Sequence, residues 1–272
     1  MNKERIICWW SGGVTSAVAC RIAIDLYGLD RCDIVFIDTH NEDDDTYRFK
    51  KDCENWYGKE IETISSSKYE SVQDVWYSHE SLNVANGAIC SSELKKQVRI
   101  RFQKTRDIEY QVFGFDMDEV NRAKNIKKNY PKAKPIFPLL LMGLVKKETI
   151  KIIQDAGIEV PRMYNLGFTN NNCFKTGCVQ GGIGYWKKIQ REYPEKFEAM
   201  AKVEHELTES KGKPVTMLKD QSKIAKAMGL ELVFLKKHND YPDHKCIDDM
   251  EGREVENLME CNGFCGTQIP LL

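Results

Sequence analysis

The chain has 272 residues, 30% of them charged, and 40 Lys and Arg stand against 41 Asp and Glu for a formal net charge of −1. That balance excludes a whole-chain electrostatic pull toward nucleic acid or a membrane surface and leaves only local patches, such as the lysine-rich run from Asn121 to Lys134, which reads as a solvated helix and loop. No apolar run reaches the roughly 18 residues a membrane span needs, and the apolar part of MNKERIICWW is too short for a signal peptide, so a cytoplasmic protein is expected, with ten cysteines that point to metal or redox chemistry before disulfides.

Strand-like and helix-like segments alternate through the first half. Arg5 to Trp10 is a short apolar run of the kind that forms a buried parallel strand. From Ser16 an alanine-rich segment has helical patterning and stops at Gly28, a natural C-cap. Cys32 to Thr39 is a second buried strand. The acidic start of DDDTYRFKKDCENWYG suits a helix N-terminus, and Gly58 closes that helix. EIETIS gives a third strand, and Ile108 to Phe115 a fourth, rich in β-branched and aromatic residues. This alternation predicts an α/β fold with a Rossmann-like, doubly wound parallel sheet of about five strands.

After about Pro138 the texture changes. GLVKKETIKIIQDAG is an amphipathic helix closed by Gly157, followed by a Gly- and Asn-rich polar segment with two cysteines. A helix is expected from near Tyr185, and Pro194 marks the start of the next. We divide the chain into a nucleotide-binding α/β core, residues 1–140, and a helical, cysteine-bearing C-terminal region, residues 141–272, packed on it.

In an open parallel sheet, ligands sit beyond the carboxyl ends of the strands. The sequence SGGVTS, Ser11 to Ser16, falls there, between the first strand and the first helix. Gly12 and Gly13 let backbone N–H groups approach an anion, the helix N-terminus adds a favourable dipole, and Ser11, Thr15 and Ser16 offer hydroxyls. The loop is neither a Walker A sequence nor G-x-G-x-x-G. Asp38 and Thr39, at the end of the second strand, either contact ribose or base or form a strand-end turn that satisfies its own backbone. Glu119 and Arg122 lie three apart on a helix face, placed to pair with each other or to meet a ligand; Arg122 could hold a phosphate or sulfate bidentately.

Four cysteines, Cys8, Cys20, Cys32 and Cys53, fall within apolar or helical patterns and are expected in the interior. Four residues separate Cys173 from Cys178 in a glycine-rich turn, and three separate Cys261 from Cys265. Two such pairs supply four thiolates, the ligand set of a structural zinc or an iron–sulfur cluster. A rival site from the tail alone combines His244, Cys246, Cys261 and Cys265.

These motifs resemble the phosphoadenosine phosphosulfate (PAPS) reductase family of the adenine nucleotide α-hydrolase, or PP-loop, superfamily. SGGVTS is similar to its pyrophosphate loop, usually Ser-Gly-Gly-x-Asp-Ser. FIDTHNEDDDTYRF, CSSELKKQVRIRF, GFDMDEVNRA and NNNCFKTGCVQGGIGYWKKIQREYPEKF resemble further family segments, and the likeness covers roughly residues 5 to 210. It implies an adenine nucleotide (PAPS, its analogue APS that lacks the extra phosphate, or ATP) on Ser11 to Ser16, with Asp38, Thr39, Glu119 and Arg122 near it. It also adds Cys90 to the thiol set, since cluster-bearing members place a Cys-Cys pair upstream of a Cys-x-x-Cys, although Ile89 stands where the first of that pair would be. Cys90, Cys173, Cys178 and one of Cys261 and Cys265 would then hold a [4Fe–4S] cluster or zinc. ECNG resembles the family's C-terminal Glu-Cys-Gly, which implies Cys261 as nucleophile as an alternative to ligand.

Two chemistries fit that resemblance. In one, a thiolate attacks the sulfonyl sulfur of a sulfonucleotide and a thioredoxin-like partner resolves the product. In the other, ATP with magnesium is cleaved between its α and β phosphates to adenylate a second substrate, as in nucleic-acid thiolation. Thr15 counts against the second, because it stands where those members carry Asp and cannot give a hard cation a carboxylate oxygen. A nucleotide-binding, metal-stabilised module without turnover is the third reading.

Overall fold

The structure, a computed structural model, describes residues 5–84, 87–171, 173–252, 254 and 255; Cys261 and Cys265 lie outside them. The first strand, β1 (Arg5–Trp10), leads through the Ser-Gly-Gly loop into α1 (Val14–Tyr27), β2 (Cys32–Ile37), α2 (Asp45–Tyr57) and β3 (Glu62–Ile64). Then come α3 (Val72–His79), a two-residue antiparallel pair β4 (Asn83–Val84) and β5 (Gly87–Ala88), a π-helical turn over Ser91–Lys96, and α4 (Gln97–Lys104). Strand β6 (Ile108–Val112), helix α5 (Val120–Asn129) and the short β7 (Pro135–Ile136) complete the sheet. The C-terminal part holds α6 (Pro138–Met142), α7 (Lys146–Asp155), α8 (Arg162–Asn165), α9 (Ile183–Glu192), α10 (Pro194–Lys211), β8 (Leu218–Lys219), α11 (Lys223–Met228) and β9 (Leu232–Val233).

The five-stranded sheet has the order β3-β2-β1-β6-β7, and every pairing in it is parallel. The chain builds outward from β1 on one side and returns to β6 on its other side. β1 therefore borders the switch point where a doubly wound sheet leaves a crevice beyond its carboxyl ends. Its run of Ile6, Ile7, Cys8, Trp9 and Trp10 is continuously apolar because both faces are covered. Ile6, Cys8 and Trp10 face a core shared with α1, α2 and α7, whereas Ile7 and Trp9 face Val98 and Phe102 of α4 and Ala123 and Ile126 of α5. Trp10 meets Phe36 edge-on at 5.2 Å and stacks on Phe49 at 5.9 Å. Aromatic pairs of this kind are worth about 0.5–1.5 kcal/mol each beyond their buried area.

A third core joins α3 and the π-helical turn to α9, α10 and the β8–β9 pair around Trp76, Trp186 and Phe197. Glu204 of α10 is fully buried there. Its carboxylate accepts the backbone N–H groups of Met217 at 2.8 Å and Leu235 at 2.6 Å, which fastens the β8–β9 region to the helix.

The expected α/β architecture is present. Helix α1 starts at Val14, two residues before the expected Ser16, because the Ser16 hydroxyl donates to the Gly13 carbonyl at 2.9 Å and so serves the first turn from inside it. β6 ends at Val112 rather than Phe115, since Gly114 passes directly against the start of α1. β2 ends at Ile37, and Asp38 and Thr39 belong to the loop beyond it.

Candidate functional site

The loop after β1 is organised by Ser16. Its Oγ accepts both the backbone N–H of Ser11, at 3.0 Å, and the Ser11 hydroxyl, at 2.9 Å. Gly12 has φ +90°, a left-handed conformation that L side chains rarely adopt, and a Cβ there would lie 2.9 Å from Thr46 Cγ2. Asn171 reaches over from the C-terminal part; its Nδ2 donates to the Gly12 carbonyl at 2.8 Å and to Thr46 Oγ1 at 3.0 Å. Gly13 caps α1 without a side-chain bond, and no acidic residue occupies the first turn, so the positive end of the helix dipole meets no carboxylate of its own helix. The Val14 N–H donates to the Tyr164 hydroxyl at 3.3 Å, and Thr15 is buried within that turn.

Gly114 sets the floor of the loop. A Cβ at that position would stand 2.4 Å from Ser16 Cα, 2.5 Å from Ser16 N and 2.8 Å from Thr15 C. Only a residue without a side chain lets β6 and α1 come this close.

Asp38 and Thr39 lie at the same edge. Asp38 Oδ1 accepts the His40 N–H at 2.7 Å, and the Tyr47 hydroxyl donates to both carboxylate oxygens at 3.0 and 3.1 Å. Thr39 donates its hydroxyl to Glu42 at 2.9 Å, and the N–H groups of Thr39 and Asn41 reach the same carboxylate at 3.1 Å. Both residues therefore hold the strand-end turn together. Glu42 is buried, which pushes its carboxyl pKa up, while the Lys95 ammonium 3.6 Å away opposes that shift.

This turn is stitched to the cysteine-bearing segment. Glu42 and Cys173 form an antiparallel bridge, the Asn41 carbonyl accepts the Phe174 N–H at 2.9 Å, and Asn41 and Thr176 exchange hydrogen bonds at 2.8 and 3.2 Å. The Thr39 hydroxyl lies 3.9 Å from Cys173 Sγ.

These contacts surround a small cavity of about 30 Å³. Ser11, Glu42, Lys95, Cys90, Cys173 and Cys178 are among the residues that line it. Three cysteines from segments more than 80 residues apart in sequence thus border one space, next to the first serine of the Ser11–Ser16 loop. Asn171 Oδ1 and Trp76 Nε1, on side chains that border the same cavity, are buried without a hydrogen-bond partner among the described residues. The donor set suits a soft metal by type. Among the described residues, however, no three His, Cys, Asp or Glu side chains are arranged to hold a metal ion, so these thiols alone do not complete a site.

The remaining expected residues fall elsewhere. Arg122 pairs with Glu119 and lies 4.5 Å above the centre of the Phe115 ring. Cys8, Cys20, Cys32 and Cys53 are buried as expected, and burial pushes the Cys53 thiol up to about 12. His244 Nδ1 lies 3.1 Å from the Leu232 carbonyl, and Cys246 is buried. The sequence reading missed Glu42, Lys95, Asn171 and Tyr164. Glu42 sits in an acidic run and Lys95 in a basic one, so each resembles surface charge. The one legible signal is polar crowding around Asn170 and Asn171 just before Cys173.

No family model matches this chain. A curated relative, "Uncharacterized protein MJ0066" of Methanocaldococcus jannaschii, is 26% identical over 211 residues, 76% of this chain. The match covers 43% of the relative's length, so the chain spans less than half of it. Among solved structures, a phosphoadenylyl-sulfate (PAPS) reductase of Candida auris in a phosphate complex is similar with a TM-score of 0.47 and 15% identity, over 64% of this chain and 83% of the other.

Proposed function

We propose that the chain is an adenine-nucleotide-binding enzyme whose phosphate cradle is the Ser11–Ser16 loop and whose thiols act beside it, as in PAPS reductases. One observation carries this reading. Cys90, Cys173 and Cys178 line a single cavity together with Ser11, at the carboxyl edge where a doubly wound sheet places its ligands. Main-chain N–H groups and the α1 dipole suit phosphate oxygens, and Asp38 and Thr39 stand at the neighbouring strand end for ribose or base. In the phosphate-bound state a nucleotide oxygen replaces the Tyr164 hydroxyl as acceptor of the Val14 N–H. Arg122 and Glu119 pair with each other and are not among the residues that line this cavity.

Cys90, Cys173 and Cys178 would supply three thiolates of a [4Fe–4S] cluster or a zinc site once their loops close on it, with the fourth from Cys265 where Cys261 serves as nucleophile; both tail cysteines lie outside the described residues. Such a group would polarise a neighbouring sulfonyl or phosphoryl oxygen and would tie the Cys90 and Cys173–Cys178 loops together. Lys95, paired with Glu42, lines the same cavity as these thiols.

The reaction we favour is thiol-dependent reduction of a sulfonucleotide, PAPS or APS. The Cys261 thiolate attacks the sulfonyl sulfur, the bond from sulfur to the bridging phosphate oxygen breaks, and the nucleoside phosphate leaves with the electron pair. A thioredoxin-like dithiol then attacks the cysteine sulfur, sulfite departs, and the second thiol resolves the mixed disulfide, so the dithiol gives up two electrons. Thr15 favours this over ATP cleavage with magnesium and transfer to a nucleic-acid acceptor, because no carboxylate occupies that position.

The test combines anaerobic purification with iron, sulfide and zinc analysis, then titration with PAPS, APS and ATP. Sulfite release from PAPS or APS with a reduced thioredoxin is expected, and Cys261→Ser should abolish it while nucleotide binding persists. Pyrophosphate release from ATP and magnesium without sulfite release would transfer the assignment to the adenylating reading. A metal-replete chain that binds none of the three nucleotides at millimolar concentration overturns the proposal.

A further inference from the structure

A second and larger cleft, of about 560 Å³, opens at the opposite end of the sheet, between α4 and the turn that follows α5. Arg99, Gln103, Arg106, Gln111, Tyr130 and Lys132 are among its lining residues. It begins at Asp107 and Ile108, the amino-terminal end of β6, whereas the Ser-Gly-Gly loop lies beyond the carboxyl ends. Five residues of strand span about 16 Å, so the two sites are separate.

The cleft is built rather than incidental. Arg99 is only 1% exposed, and its guanidinium donates to Gln103 Oε1 at 2.8 Å and lies 5.7 Å from the centre of the Tyr130 ring. Gln103 in turn donates to Gln111 Oε1 at 2.7 Å, which also accepts the Trp9 indole N–H at 2.9 Å. A buried cation and two oriented amides thus border a space within the range of small-ligand pockets, about 300–1,000 Å³.

The surrounding charge extends further than the cleft. The lysine-rich run that sequence analysis set aside as a solvated face is brought by packing against the basic helix α4, since Val98 and Phe102 share a core with Ala123, Ile126 and Tyr130. On these two segments Arg101, Lys104, Lys124, Lys127, Lys128 and Lys132 are exposed, and among the described residues none forms an ion pair. Arg106, by contrast, pairs with Glu62 at 2.7 Å. A chain with a net charge of −1 has concentrated unpaired positive charge on one face. A small anion would need only the cleft. Cations spread along a ten-residue helix, about 15 Å, suit a string of phosphates.

We propose that this face binds single-stranded nucleic acid, with backbone phosphates on the α4 and α5 cations and one nucleotide entering the cleft beside Arg99, Gln103 and Gln111. The site is independent of the phosphate cradle, because none of these residues borders Ser11. Binding is expected to weaken with salt at a slope of about −0.7 per phosphate engaged. For three to four phosphates, affinity then falls about 20- to 50-fold between 50 and 200 mM salt.

The experiment is fluorescence anisotropy of a labelled mixed-sequence 20-nucleotide RNA with the full chain. The variant Lys127→Glu, Lys128→Glu, Lys132→Glu should lose at least about tenfold in affinity and flatten the salt slope. A control with the same charge change, Lys219→Glu, Lys223→Glu, Lys226→Glu, should bind as the parent does. All six lysines are exposed, so both variants should keep the parent's circular dichroism spectrum. The proposal is overturned by no RNA binding at 50 mM salt, by equal losses in the two variants, or by full displacement of RNA with 10 mM inorganic phosphate at constant ionic strength, which would assign the cleft to a small anion.

Discussion

Replacing Gly114 with alanine tests the geometry on which the phosphate cradle stands. The added methyl group would lie 2.4 Å from Ser16 Cα, 2.5 Å from Ser16 N and 2.8 Å from Thr15 C. Carbon contacts are comfortable at about 3.5–4.0 Å, so β6 and the first turn of α1 must separate by roughly an ångström. The obstructing atoms are main chain, and no rotamer change relieves the clash. Overpacking of this kind costs about 1–3 kcal/mol, which for a chain of this size lowers the melting temperature by about 2–4 °C per kcal/mol. The displaced turn carries the Ser16 hydroxyl that holds Ser11, so loop geometry should fail together with stability. Thermal unfolding by circular dichroism reads the first effect, and calorimetric titration with PAPS, APS and ATP reads the second. A Gly114→Ala protein that melts within a degree of the parent and binds the same nucleotide with unchanged affinity would refute the reasoning.

Three further outcomes are expected. Ser16→Ala removes the acceptor of the Ser11 N–H and hydroxyl; a loss of about 1–2 kcal/mol in urea unfolding should accompany at least tenfold weaker nucleotide binding, and retention of full affinity would discount the hydroxyl. Asn171→Ala leaves the buried Gly12 carbonyl without its donor and should cost about 1–3 kcal/mol, measured the same way. Glu204 gives a pH signature, because burial raises its carboxyl to about 8 in the folded chain, above the ordinary carboxylate value. The folded state then holds the proton more tightly than the unfolded state, so this contribution is full below about pH 4.5 and is lost as pH rises through about 8. The swing is on the order of 5 kcal/mol. Unfolding free energies at pH 5, 7 and 9 should show this decline, and Glu204→Gln should flatten it; an unchanged slope in the variant would assign the decline to other groups.

The central strands and their helices were legible because both carry a period and a stop. β1 begins and ends as expected, α2 closes at Gly58 in a left-handed conformation, and α10 begins at Pro194. The π-helical turn after Cys90, helix α3 and the two-residue ladders were not foreseen, since strands of two residues leave no alternation to detect. The strand-to-helix loop was legible as well, because small residues between an apolar run and a helix mark a tight turn. Its surroundings were not. Nothing local marks Asn171 as a partner of Gly12, 159 residues away, or Lys95 as the buried neighbour of Glu42. Those pairings arise when the third core docks on the sheet, and a one-dimensional pattern carries no trace of docking. Cys90, Cys173 and Cys178 were grouped through family likeness; their approach to one cavity depends on the same long-range packing.

The bridge between Glu42 and Cys173 has a thermodynamic consequence. The second strand's outgoing loop and the thiol segment share main-chain hydrogen bonds, so the two are joined directly rather than through a side-chain relay. Any effect that an occupant of the sulfur-lined space has on affinity at the adjacent strand ends is matched by the same factor in the reverse direction, in whichever order the two arrive.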